Sequence, residues 1–153
     1  MRVLMLSPEY SPHNVGGLGR HVEELSEALV RNGHEITVLT WGQAGDRKRE
    51  VLRRVRVARA IGYPISAMNF VAWVLHQNFK MLEEAIKLAR ETSFDLIHAH
   101  DWLVAYTAGV LKHAYKLPLV VTIHATEAGR NQGIHNEVHR YINSVEWWLT
   151  YEA

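Results

Sequence analysis

Apolar positions along the chain fall into two alternating rhythms. Arg2–Ser7 holds four consecutive apolar residues, Val3 to Leu6, the pattern of a strand buried on both faces of a parallel sheet. Leu18, Val22, Leu25, Ala28 and Leu29 then recur every three or four residues, which lays one apolar stripe along a helix over 18–29. Asn32-Gly33 supplies a stop for that helix, and the β-branched run Ile36–Thr40 reads as a second strand. After a loop over 42–46, residues 51–57 alternate apolar and basic positions, as a half-exposed strand near a sheet edge would. Phe70, Trp73, Val74, Phe79, Leu82 and Ile86 line a long helix over 69–90. A strand over 94–98, a helix over 102–115, an apolar strand over 117–123 and a helix from Ile134 onward complete the pattern.

Strands separated by helices imply parallel pairing with right-handed crossovers. The expected fold is therefore α/β: one three-layer domain over 1–153, Rossmann-like, with a doubly wound and mostly parallel sheet. Ligands of such sheets sit beyond the carboxyl ends of the strands. The loops over 7–17, 99–102 and 124–133 should then share one rim, and they hold the unusual polar residues of the chain.

Gly16-Gly17-Leu18-Gly19 lies between the first strand and the first helix. Glycines there either turn the chain sharply or let an anion approach the free N–H groups at the positive end of the helix dipole. Asp101 follows an apolar strand and can cap the next helix or accept hydrogen bonds from sugar hydroxyls. His124 holds the equivalent place after the next strand. It is either a polar loop residue or a group that bonds an anionic or hydroxylated ligand and moves a proton near neutral pH. His98 reads as a satisfied core histidine.

Composition narrows the chemistry. A net charge of +1 over 153 residues gives no general attraction to nucleic acid or membrane, and no apolar run is long enough for a membrane span. With no cysteine, thiolate nucleophiles, disulfides and cysteine-ligated zinc are excluded, and a cytoplasmic, reduced compartment is the default. Ten histidines raise a metal-dependent hydrolase as an alternative. His135 and His139 are four apart on one face of the expected last helix, but Asn136 stands where a zinc protease places glutamate, and Glu137 points away. His98 and His100 would need a third ligand from elsewhere, so no metal is expected. A nicotinamide site is disfavoured, because the glycine run lacks its third glycine and the second strand ends in Leu39-Thr40 without an acid. Seven of the 17 basic residues fall between Arg47 and Arg59, as a solvated edge that discourages strand pairing. The final Trp147–Ala153 is helical, aromatic and uncapped, which reads as a chain interrupted within an element. Bare Trp147 and Trp148 would then offer a surface for a homodimer.

These motifs resemble a known family. Gly16–Val22, Leu25, Leu29, Gly33-His34-Glu35 and Val38-Leu39-Thr40 look like the N-terminal half of group 1 glycosyltransferases. His98–Trp102 and Thr122–Arg130 resemble in particular the branch that contains glycogen and starch synthases. The resemblance spans the whole chain and implies one half of a GT-B fold, the acceptor side, with the donor-binding half absent. It implies a retaining enzyme that moves a glucosyl-type unit from an ADP- or UDP-linked nucleotide sugar to a carbohydrate acceptor. No cofactor or obligatory metal is implied, and the isolated domain would be inactive. Gly16, Gly17 and Leu18 would meet the donor diphosphate. His124 would lie against the transferred sugar and Asp101 near the acceptor end, as the catalytic residues. Asn14, His100, Thr126, Glu127, Arg130 and Asn131 would line the cleft. The chain departs from the synthases at Asn14, where they place lysine, and at Arg20, where they carry aspartate, which moves it toward the broader group with diverse acceptors. The alternative of another class is a free-standing module that binds carbohydrate or phosphate.

Overall fold

β1 (Arg2–Ser7) sits in the middle of the molecule, and every other strand is placed by reference to it in the computed structural model, which describes residues 1–153. β2 (Glu35–Gly42) pairs parallel with one edge of β1, and β5 (Leu96–His100) pairs parallel with the other. β4 (Val55–Ile61) extends the sheet beyond β2, and β6 (Leu119–Thr122) extends it beyond β5, both parallel. With β3 (Arg49–Leu52) antiparallel to β4, the six strands run in the order β3-β4-β2-β1-β5-β6. This is the Rossmann-like arrangement, with its order reversal between β1 and β5.

The helices are α1 (Gly17–Arg31), α2 (Phe70–Glu91), α3 (Ala105–Tyr115), α4 (Glu127–Arg130) and α5 (Glu137–Glu152), with a single 3-10 turn at Trp102–Val104. Alternation along the strands divides the core. Leu4, Leu6, Leu39, Ala58, Ala60, Ile97 and Ala99 join side chains of α2, α3 and α5 in a cluster of 21 buried residues. Val3, Met5, Ile36, Val38, Val55 and Val57 point the other way, where α1 alone covers them, in a cluster of nine.

Several sequence expectations are corrected. Residues 51–57 are two strands, because Arg53 and Arg54 both take positive φ (45° and 71°) and reverse the chain. Their side chains continued the apolar–basic alternation and concealed a turn that ordinarily carries Asn-Gly. Within the same basic run Arg59 is 2% exposed, so the run is not wholly a solvated edge. β5 runs to His100, which makes Asp101 the first residue past the strand. The last helix begins only after Asn136, whose side chain accepts from His139 N, so His135 lies outside it and does not share a helical face with His139. Trp148 is not bare: its ring packs where a Cβ on Gly109 would come within 2.7 Å, and it stacks on Tyr106 at 5.9 Å. Trp147, 68% exposed, does face outward, stacked on Tyr151. No helix is long and apolar enough to cross a membrane.

Candidate functional site

The loops after β1, β5 and β6 meet at one rim. The first is strapped down from several sides. Arg59, buried on β4, donates from Nη2 to the carbonyl of Ser11 at 2.6 Å and pairs through Nη1 with Glu50. His13 Nε2 lies 2.9 Å from both carboxylate oxygens of Asp46 in the loop after β2. Asn14 donates to Glu23 on α1 at 2.9 Å, beside Gly19, where a Cβ would come within 2.4 Å of the Asn14 side chain. Gly19 is thus glycine for packing.

Gly16 and Gly17 are different. A Cβ on either would meet nothing within 4 Å, and neither has positive φ. Neither close packing nor left-handed backbone demands glycine there, so the turn explanation loses its support. What the two glycines leave is open space above the N-terminus of α1. No side chain caps that helix and its first turn has no acid. Its approach is held by Glu9, whose Oε2 accepts from the backbone N–H groups of Val15 and Gly16, each at 3.1 Å.

At the end of β5, Asp101 is 1% exposed and takes φ 70°, a region that costs a residue other than glycine about 1–3 kcal/mol. Its backbone N–H donates to Thr122 O at 2.9 Å, which ties the β5 end to β6. Its Oδ1 accepts from Trp102 N at 3.0 Å, and its Oδ2 accepts from Arg130 Nη2 at 3.3 Å. The carboxylate therefore caps the 3-10 turn with one oxygen and faces the loop after β6 with the other. Burial raises its pKa, against the lowering pull of the Trp102 amide and of Arg130.

His124 lies just past β6, half-buried, with Nε2 3.3 Å from Nδ1 of His100. Its pKa is lowered by burial, partly offset by the carboxylates of Asp101 and Glu9. The same cause acts more strongly beneath it, where His98 is pulled down to about 4 and His100 to about 2. These rings are neutral at pH 7. His98 is half-buried and bonds Thr122 Oγ1 at 2.8 Å, so it is a satisfied strand histidine as expected.

The remaining site residues divide. Glu127 and Arg130 line a groove of about 630 Å³ with Phe70, Trp102 and His139. Thr126 is exposed, and its hydroxyl caps α4 by accepting from Gly129 N; Asn131 donates to Glu127 O at 2.9 Å, so both side chains build the loop they belong to. His100, expected to line the cleft, is fully buried and backs His124 instead.

Sequence reasoning missed three participants. Glu9 sits in a loop with no motif, and Arg59 was hidden in a basic run. His21, four residues into α1, turns its ring to within 5.0 Å of His124 and 5.8 Å of His100, centroid to centroid. Each of His21, His100 and His124 offers one nitrogen, and the three nitrogens lie within 4.8 Å of one another. A divalent cation could be held there: the sequence offered His100 as a ligand but with His98, and not with His21 and His124.

The comparisons with known proteins point one way. Residues 15–153 match the family model described as Glycosyltransferase Family 4. Glycogen synthase of Mycobacterium tuberculosis is 40% identical over 168 residues, covering all of this chain and 41% of that protein. The chain thus spans about two fifths of the length of that relative. Among solved structures, sucrose-phosphate synthase from Thermosynechococcus elongatus superposes with a TM-score of 0.77 at 18% identity, over 97% of this chain and 39% of that one. The catalytic domain of starch synthase IV from Arabidopsis thaliana, bound to ADP and acarbose, gives 0.64 at 18% identity, over 82% and 34%. At such identities the two structures speak for the shared fold.

Proposed function

The chain belongs to glycosyltransferase family 4, and from that premise we propose that it is the acceptor-side domain of a retaining nucleotide-sugar transferase, synthase-like and inactive without a donor-binding half. In this reading a glucosyl-type unit leaves an ADP- or UDP-linked donor for a carbohydrate acceptor. A cytoplasmic location is part of the same proposal. So is a second copy of the chain against the exposed Trp147–Tyr151 stack.

The observation that carries the reading is the open space over Gly16 and Gly17, on the rim where Asp101 and His124 also stand. As the glycosidic bond to the donor breaks, negative charge grows on the leaving diphosphate. N–H groups of Gly17 and Leu18, fixed at the positive end of α1, stabilise that charge without reorganising, and the amide of Gly16 joins them if the diphosphate displaces Glu9. Neutral His124 donates a hydrogen bond to a hydroxyl of the moving sugar. Asp101, kept in place by Trp102 N, orients Arg130 toward an acceptor hydroxyl at the neighbouring groove, where Phe70 offers an exposed aromatic face to a sugar ring.

The test uses the 153-residue chain and the polypeptide of its complete reading frame, each incubated with labelled ADP- or UDP-glucose and a maltooligosaccharide or monosaccharide phosphate. The longer protein is expected to transfer with retained anomeric configuration, read by proton NMR, and the chain alone to transfer nothing. Inverted product, or transfer by the chain alone, overturns the proposal. The groove with Phe70 on its wall is the one observation favouring a free-standing carbohydrate-binding module; such a module would bind oligosaccharide tightly with no second domain.

A further inference from the structure

We propose that His21, His100 and His124 form a binding site for a borderline-soft divalent cation, zinc being the representative, and that occupancy of this site inhibits sugar transfer. The second half of the statement rests on the function proposed above; the first does not.

The ligands come from three places: α1, the end of β5 and the loop two residues past β6. A tetrahedral zinc with nitrogen ligands at about 2.0–2.1 Å sets those nitrogens about 3.3–3.4 Å apart. His100 Nδ1 and His124 Nε2 already stand at 3.3 Å, and the third nitrogen is within 4.8 Å of both. His21 is exposed and makes no hydrogen bond, so its ring can swing the remaining distance without breaking a contact. One of the two facing nitrogens carries the N–H of their contact, and ligation moves that proton to the other nitrogen of its own ring. The carboxylates of Glu9 and Asp101 lay negative potential on His124, which favours positive charge there. Three ligands leave a fourth position toward the rim. A cation there takes the lone pair and the rotational freedom of His124, the group assigned to the sugar.

Cobalt serves as the optical probe. Titrating the chain with Co²⁺ in chelator-free buffer is expected to give ligand-field absorption that saturates at one equivalent and is displaced by Zn²⁺. His21→Ala, on an exposed position, is expected to weaken binding at least tenfold with unchanged far-ultraviolet circular dichroism. His113→Ala, a control on α3, is expected to titrate as the parent. Absence of saturable absorption, or a His21→Ala titration that matches the parent, overturns the site. In the complete-frame transferase Zn²⁺ is expected to depress transfer and EDTA to restore it, with His21→Ala less sensitive to Zn²⁺. Zinc-insensitive transfer alongside a normal cobalt titration overturns the inhibitory role. Saturable cobalt binding with no transfer even in EDTA refutes the transferase reading and leaves the site standing.

Discussion

The two faces of the sheet differ in what covers them. On one, α2, α3 and α5 close over a core of 21 buried residues, and strand side chains from Leu4 to Ala99 are almost without exposure. On the other, α1 alone shelters a core of nine, and it reaches β2 and β4 rather than the far edge. There β5 and β6 present His98, His100 and Thr122, with Val120 left 43% exposed. The difference is instructive, because the histidines of the candidate site lie on or above the thinner face, while Glu127 and Arg130 line a groove beside α2 and α5. Apolar packing on the first face supplies stability that the second, carrying buried neutral imidazoles and a strained Asp101, spends.

The largest test of this contrast is a pair of truncations. Leu39→Ala empties a fully buried position in the larger core and is expected to cost about 2–5 kcal/mol, read from the urea midpoint at constant m-value. Leu25→Ala, at a half-buried position on α1, is expected to cost less than half as much. Equal losses would erase the distinction between the faces.

A second test falls on the polar scaffold of the thinner face. Arg59→Met removes the guanidinium that holds Ser11 O and Glu50, and leaves that carboxylate without its partner. Loss of one member of a buried pair costs about 3–5 kcal/mol, and because the Glu50 side chain is 20% exposed and can hydrate, about 2 kcal/mol is expected here. The loop over 8–16 should also exchange its amides faster, because Ser11 loses its anchor. Unchanged exchange would show that the strap does not hold the loop.

Arg59 also marks where the sequence stops being legible. The strand–helix alternation, the parallel sheet and the shared rim were readable because each rests on local periodicity, and so was the placement of Asp101 and His124. What was not readable came from contacts across the chain. Arg59 looks like its exposed neighbours until β3 folds back on β4 and brings Glu50 alongside. The reversal itself was masked by Arg53 and Arg54 in the place of Asn-Gly. His21 is an ordinary helix residue until β5 and β6 bring His100 and His124 to it. Glu9 is a loop acid until the chain returns Gly16 to its carboxylate.

Acid offers a third and more graded test. His98, His100 and His124 have native pKa values below the unfolded value, so between pH 6.5 and their native pKa the unfolded chain binds more protons. Their contribution is complete above about pH 6.5 and is lost as pH falls, with a slope of up to about 1.4 kcal/mol per pH unit for each histidine. Asp101 and Glu146, raised by burial, act in the opposite sense, as their native forms take up protons first nearer the carboxylate range. Urea midpoints at pH 7, 6 and 5 should therefore decline, and His98→Gln should flatten the decline. A midpoint independent of pH over that range would mean that these imidazoles are hydrated.

The smallest stability effect separates fold from function most sharply. Gly17 is the first residue of α1, its φ is not positive, and a methyl group on it meets nothing within 4 Å. Alanine at that position narrows the unfolded ensemble and suits the helix, so Gly17→Ala is expected to stabilise the chain by about 0.5 kcal/mol, a rise of about 1–2 °C in Tm by differential scanning calorimetry. The same methyl stands in the space assigned to the donor diphosphate and keeps it from the N–H groups of the helix start. In the complete-frame transferase kcat/KM for the nucleotide sugar should therefore fall tenfold or more, and Gly17→Val should lower it further. At Gly19 the outcome reverses, since a methyl there strikes Asn14 and alanine should destabilise the chain itself. A Gly17→Ala protein that melts higher and transfers normally would show that the opening above α1 admits no ligand.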